Sequence, residues 1–210
     1  MKKTLTAIAT AAALLVAGCG SESGSNGGES GAAATDYQGT AGQVTPGPAP
    51  LDGDTGFLSA LGLEGAGAPE VVKGLETTSA DRDAGIVGSV RYDHIVFNTP
   101  AGEHTLQLPE GQFYVSIAPF VDQTHECYYH NLATCQGELV EEDLDVTITA
   151  DDGEVLVDET VKTYQNGFAG FWLPRDIEGT IEISYDGKSV TAPLATGPED
   201  PTCVTTLQLT

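Results

Sequence analysis

The second half of the chain alternates apolar and polar residues with a period of two, in short runs divided by turn-forming residues. Leu144, Val146 and Ile148 alternate with Asp145, Thr147 and Thr149. Successive side chains of a strand point to opposite faces, so such a run buries one face and wets the other. Asp151-Asp152-Gly153 leads into a second run over 154–164. Runs over 180–185 and 188–194 flank Asp186-Gly187, a strong hairpin signal because glycine accepts the positive φ of a tight turn. A last run covers 203–209. The pattern predicts an antiparallel, β-sandwich-like region with Greek-key-like links. No repeat of solenoid or propeller period is present.

Upstream, Phe57, Leu58, Leu61 and Leu63 suit a short amphipathic helix, and Pro69-Glu70 suits the first turn of another. β-like runs follow over 89–97, 103–108 and 112–120. In the last, Phe113, Val115 and Ile117 alternate with Tyr114 and Ser116, which predicts one buried face. The stretch 167–175 holds the single Trp, Trp172, and reads as a core plug and turn. The fold class expected is α+β, mainly β: a helix-plus-sheet domain over 55–122, then a Cys/His segment and β domain over 123–210.

The first residues read as an address. Lys2 and Lys3 precede an apolar run from Leu5 to Ala17 that is too short for a permanent membrane span. Leu15-Val16-Ala17-Gly18-Cys19 resembles a bacterial lipobox, so residues 1–18 are expected to be a lipoprotein signal peptide and Cys19 the lipidated residue. Residues 19–54 are rich in Gly, Ser, Ala and Pro and read as a flexible linker. The chain is then expected outside the cytoplasm, tethered to the membrane through its lipid.

Charge excludes some partners. The chain carries 8 Lys+Arg against 31 Asp+Glu, for a net charge of −23, so nucleic acid and polybasic membrane contact are ruled out. Acidity is compatible with binding cations but by itself serves solubility.

The cysteines carry more. With Cys19 assigned to lipid, Cys127, Cys135 and Cys203 remain, an odd number in an oxidising compartment. Two of them lie in the segment 124–139 with His125 and His130. Cys127 and Cys135 would be about 12 Å apart on a straight helix, too far for one ion at roughly 2.3 Å from each sulfur. A shared site therefore needs a bend, or a ligand from elsewhere, and Cys203 at a strand start is placed to be that ligand. Three thiolates suit Cu(I); Zn(II) would want a fourth ligand, which His125 or His130 supplies. Spacing alone leaves two other readings open. Cys127 and Cys135 can form a structural disulfide of on the order of 2–3 kcal/mol, making the chain a β-sandwich interaction module, or they can do redox chemistry.

Other candidates are plainer. His94 reads as a satisfied strand histidine, His104 as solvated, and Glu138 as a surface carboxylate or a partner to a nearby histidine. Cys127 and His130 would make a nucleophile pair, but no oxyanion element accompanies them. No catalytic residue is assigned. A thioredoxin-like CxxC motif is absent.

Three blocks together resemble one family: Thr124-His125-Glu126-Cys127-Tyr128-Tyr129-His130 with Cys135-Gln136-Gly137-Glu138-Leu139, then Gly170-Phe171-Trp172-Leu173-Pro174-Arg175, then Thr202-Cys203-Val204-Thr205-Thr206-Leu207. In this order they resemble CueP, the periplasmic copper-binding proteins, from about Phe57 to the end. The resemblance implies copper tolerance by sequestering copper or passing it to an accepting protein. It implies Cys127, Cys135 and Cys203 as ligands, with His125 and His130 close by. The lipobox and linker mark an anchored variant of a family of soluble forms.

Overall fold

The computed structural model describes residues 55–210. The expected signal peptide, Cys19 and the linker lie outside the described residues. No helix among the described residues is long and apolar enough to cross a membrane.

A 3-10 turn, Gly56–Leu61, precedes two short helices, α1 (Ala68–Glu76) and α2 (Ala80–Ala84). Pro69 and Glu70 open α1 as the sequence predicts, and its Val71, Val72 and Leu75 are buried. Its last residue, Glu76, is also buried, although a carboxylate at a helix C-terminus faces the negative end of the dipole. Strands β1 (Val87–Val90), β2 (His94–Thr99) and β3 (Gly102–Gln107) form an antiparallel sheet in that order. The run expected over 89–97 is thus two strands. The chain turns at Tyr92-Asp93, where the Arg91 N–H donates to the His94 carbonyl over 2.8 Å.

A second sheet has the order β10-β4-β7, from β4 (Gln112–Ile117), β7 (Ala169–Pro174) and β10 (Cys203–Val204). β7 is antiparallel to β4, and β10 is parallel to it. The third sheet is β6-β5-β8-β9, from β5 (Asp143–Ala150), β6 (Val155–Lys162), β8 (Glu178–Tyr185) and β9 (Lys188–Ala195). Asp186 and Gly187 take positive φ of 48° and 76° in the β8–β9 hairpin, as the dipeptide requires.

The chain crosses between the second and third sheets several times, and the link from β4 to β5 is the Cys/His segment. One core joins the two sheets: Phe113, Val115 and Ile117 of β4 and Phe171 and Leu173 of β7 meet Leu144, Val146, Ile148, Ile181 and Ile183. On the other face of β4, Tyr114 packs with Leu58, Val71, Leu75, Ile95 and Phe97 of the helices and first sheet. Both faces of β4 are therefore buried, where the alternation predicts one. The 167–175 stretch corrects likewise, because it contains β7, the main partner of β4. Its residues are apolar on both sides, since both faces are covered, and so show no alternation to read. The final strand is shorter than expected. β10 is two residues, and the chain then follows β4 through Ala118 N–H to Val204 O and Phe120 N–H to Leu207 O, 2.9 and 3.0 Å.

Candidate metal centre

Cys135 and Cys203, with Ala118 and Phe168, form a small cluster apart from the two larger cores, and Cys127 packs against it. It sits where β4 ends, β7 begins and β10 starts. Register fixes this meeting, with Cys203 opposite Ser116 and Ala169 opposite Ile117.

The bend that the cysteine spacing demands is made by Asn131. Its side-chain oxygen accepts the backbone N–H groups of Ala133 (3.1 Å) and Thr134 (3.0 Å), an Asx turn. Cys135 N–H donates to the Asn131 carbonyl, and Asn131 N–H donates back to Cys135 Sγ over 3.3 Å. The turn brings Cys135 Sγ to 3.5 Å from Cys127 Sγ, and the three cysteines are free thiols. Beyond Cys135, Gly137 lies against Gly167, backbone on backbone, with Gly137 N–H donating to Asn166 O over 2.6 Å. A side chain at either glycine would push the segment off β7.

The first sheet grips the segment from the other side. Val90 N–H donates to His130 O (2.8 Å) and Leu132 N–H to Gly88 O (2.9 Å). Arg82 Nε donates to Ala133 O over 2.7 Å, and the Arg91 guanidinium lies 3.9 Å over the Tyr129 ring. Buried Thr202 ties segment, sheet and β10 together: its hydroxyl accepts from His130 N–H and donates to Val90 O, both 2.9 Å. Cys203 N–H then donates to Tyr128 O over 3.1 Å.

His130 is fully buried. Its Nε2 is 2.8 Å from Glu76 Oε1, and its ring packs at 4.8 Å on Phe168. Glu76 also accepts from Tyr114 (2.9 Å), Ser116 (3.4 Å) and Asn166 Nδ2 (2.6 Å), so both its oxygens are filled. Burial would push the Glu76 carboxyl up, but charged His130 and these donors hold it below the usual range. Burial likewise opposes charge on His130, and the Glu76 carboxylate with Cys135 more than reverses that, raising its pKa to about 9.

Among the thiols, Cys135 is lowered because Cys127 and Cys203 donate to it, with burial opposing and His130 helping. Cys127 is pushed up to about 11 chiefly by that bond, and Cys203 is pushed up by its bonds to the other thiols and by burial. Of the three thiols, Cys135 is thus the one drawn towards the thiolate, which is the metal-binding form.

Two groups of ligand atoms lie within 4.8 Å of one another among the described residues: His125, Cys127 and Cys135, and His130, Cys135 and Cys203. All five residues singled out in the sequence thus meet here. A donor set of thiolates and imidazoles fits a soft, thiophilic ion.

His94 and His104 stay outside. His94 Nδ1 pairs with Asp93 at 2.6 Å. His104, expected to be solvated, stacks on Phe57 at 4.7 Å with Nε2 buried. Glu138 accepts the N–H groups of Val121 (2.7 Å), Asp122 (3.0 Å) and Gln123 (3.3 Å), fixing the start of the segment. Sequence reasoning missed Glu76, Asn131, Asn166, Phe168 and Thr202. A carboxylate in the last turn of a helix was a signal for Glu76, as was Asn131 opening a turn for the bend.

The comparisons agree with the chemistry of this donor set. A family model described as periplasmic copper-binding protein CueP matches residues 70–208. A solved structure described as "Crystal Structure of S.CueP" is 34% identical, with a TM-score of 0.71, and the match covers 77% of this chain and 100% of that one. No curated protein matches. With the Cys/His segment, β7 and β10 all inside the matched residues, the chain belongs to the CueP family of periplasmic copper-binding proteins.

Proposed function

We propose that this chain captures Cu(I) outside the cytoplasm through Cys127, Cys135 and Cys203, assisted by His130 and His125, and holds it for sequestration or transfer to a copper-accepting protein. The observation that carries this reading is the convergence of three free thiols and two imidazoles from distant parts of the chain. Sulfur-rich, low-coordinate sets favour Cu(I), and the ion is cargo rather than a reagent. Zn(II), the other ion these donors suit, is a competitor in the test. Thiol protons leave as the metal binds, so the lowered thiol of Cys135 favours capture.

A redox step fits the same residues. With Cys127 Sγ 3.5 Å from Cys135 Sγ, two Cu(II) ions can take one electron each as the two thiols lose two protons and form a disulfide. One of the two Cu(I) ions produced is held by Cys203 and His130, and the other leaves to solvent or a partner. Counting thiols after adding Cu(II) tests this: a fall of two supports it, and an unchanged count removes it. Lipidation at Cys19 is proposed on its lipobox-like context, and the mass of the mature chain tests it.

Anaerobic titration of the reduced protein checks the main reading. One Cu(I) per chain should bind in preference to Zn(II), and Cys203→Ser should weaken it. Equal binding by that variant would remove Cys203 from the site.

A further inference from the structure

Resting on the copper reading above, we propose that the five ligands hold Cu(I) at two successive positions, an outer one on His125, Cys127 and Cys135 and an inner one on His130, Cys135 and Cys203. Cys135 belongs to both groups, so the ion passes between them without leaving the protein.

The ligand distances call for two positions. Ligands on opposite sides of one ion, each at roughly 2.3 Å, are at most about 4.6 Å apart. Among the described residues, the groups within 4.8 Å are these two, and neither contains both histidines. One ion therefore meets one group at a time unless the chain moves.

The two groups also differ in access. His125 is exposed and Cys127 half-buried, whereas His130, Cys135 and Cys203 are all buried. A surface cleft of about 410 Å³, lined by Gln123, Thr124, His125, Gln136, Gly137 and Glu138, runs beside the outer group. Phe168 stands between the histidines, edge-on to His125 at 6.2 Å and tilted on His130 at 4.8 Å. Its fully buried ring is an apolar wall that keeps water from the inner position. The outer group takes the ion from solvent or a partner; the inner group retains it.

Transfer is a ligand exchange. The bonds from copper to Cys127 Sγ and His125 break as those to Cys203 Sγ and His130 form, while the bond to Cys135 Sγ persists. Copper remains Cu(I) and no electron moves; Cys203 and His130 give up protons as they bind, and Cys127 takes one up as it is released.

Stopped-flow exchange with bathocuproine disulfonate, a coloured Cu(I) chelator, separates entry from retention in the reduced protein. His125→Ala alters an exposed side chain, so folding is not at issue. Two positions predict that it slows both loading and removal severalfold, because an entry ligand serves both directions. Cys203→Ser should confine the ion to the outer group and speed removal by about tenfold or more, with His130→Gln as a second inner variant should serine disturb the core. If His125→Ala instead speeds removal, as loss of a ligand from a single site must, the two-position proposal is overturned while copper capture stands. If the wild-type protein takes no Cu(I) from the chelator, the copper reading fails and this inference with it.

Discussion

His130 Nε2 lies 2.8 Å from Glu76 Oε1, with both side chains fully buried. The pair links the last turn of α1 to the Cys/His segment. Because Tyr114, Ser116 and Asn166 also donate to Glu76, the carboxylate is surrounded by donors, and His130 must present Nε2–H to it. A metal that displaces the Nδ1 proton then meets the neutral imidazole's Nδ1 lone pair, as in carboxylate–histidine–metal arrangements.

Glu76→Gln replaces an acceptor with an NH₂ group among these donors. Cu(I) affinity should fall by about 10- to 100-fold, and the ¹⁵N shifts of His130 should report a changed protonation state. Unchanged affinity and unchanged shifts would show that Glu76 has no hold on the site. Glu76→Ala, which leaves the buried histidine without its partner, should cost about 3–5 kcal/mol in urea unfolding.

The same pair sets a pH dependence. His130 has its pKa raised from 6.5 to about 9 in the fold. Its stabilising contribution is complete below about 6.5 and is lost as pH rises through about 9. Glu76, held below its ordinary 4.5, contributes above that value and loses its effect as pH falls through the lower folded one. The metal-free, reduced protein should therefore lose a few kcal/mol between about pH 7 and pH 10. Urea midpoints across that range measure it, and His130→Gln should flatten the slope. A wild-type midpoint that is constant or rising would contradict the pairing.

Gly170 lies under the Tyr114 ring, and a Cβ there would overlap the phenol oxygen. Gly170→Ala should displace the hydroxyl that donates to Glu76 and cost about 1–3 kcal/mol through overpacking. The effect should appear both in thermal unfolding and as weakened Cu(I) binding. A variant with wild-type stability and binding would mean that β7 can shift without disturbing the site.

Glu138 holds three successive N–H groups at the start of the segment. Glu138→Ala should leave the β cores intact and raise hydrogen exchange at Val121, Asp122 and Gln123. Unchanged protection there would show that the carboxylate does not fix the segment.

What could be read in the sequence follows from which interactions are periodic. β5, β8 and β9 were legible because each has one wet face, so Leu144, Val146 and Ile148 stand out against Asp145, Thr147 and Thr149. β7 was not, because Ala169, Gly170, Phe171 and Leu173 are buried on both sides and leave no alternation. Cys203 was legible as the odd thiol after Cys127 and Cys135, and His125 and His130 by their closeness to the cysteines. Glu76 had no such neighbour: its tie to His130 exists only once α1 packs on β4. The burial of Phe168 between two histidines is likewise a tertiary fact.

The central claim is that copper binds to sulfur in this cluster. X-ray absorption at the copper edge of the Cu(I)-loaded, reduced protein tests it most directly. The account predicts a low-coordinate ion with two thiolate sulfurs and one imidazole nitrogen, losing one sulfur in Cys135→Ser. A spectrum with nitrogen and oxygen neighbours alone, unchanged by that substitution, would contradict it.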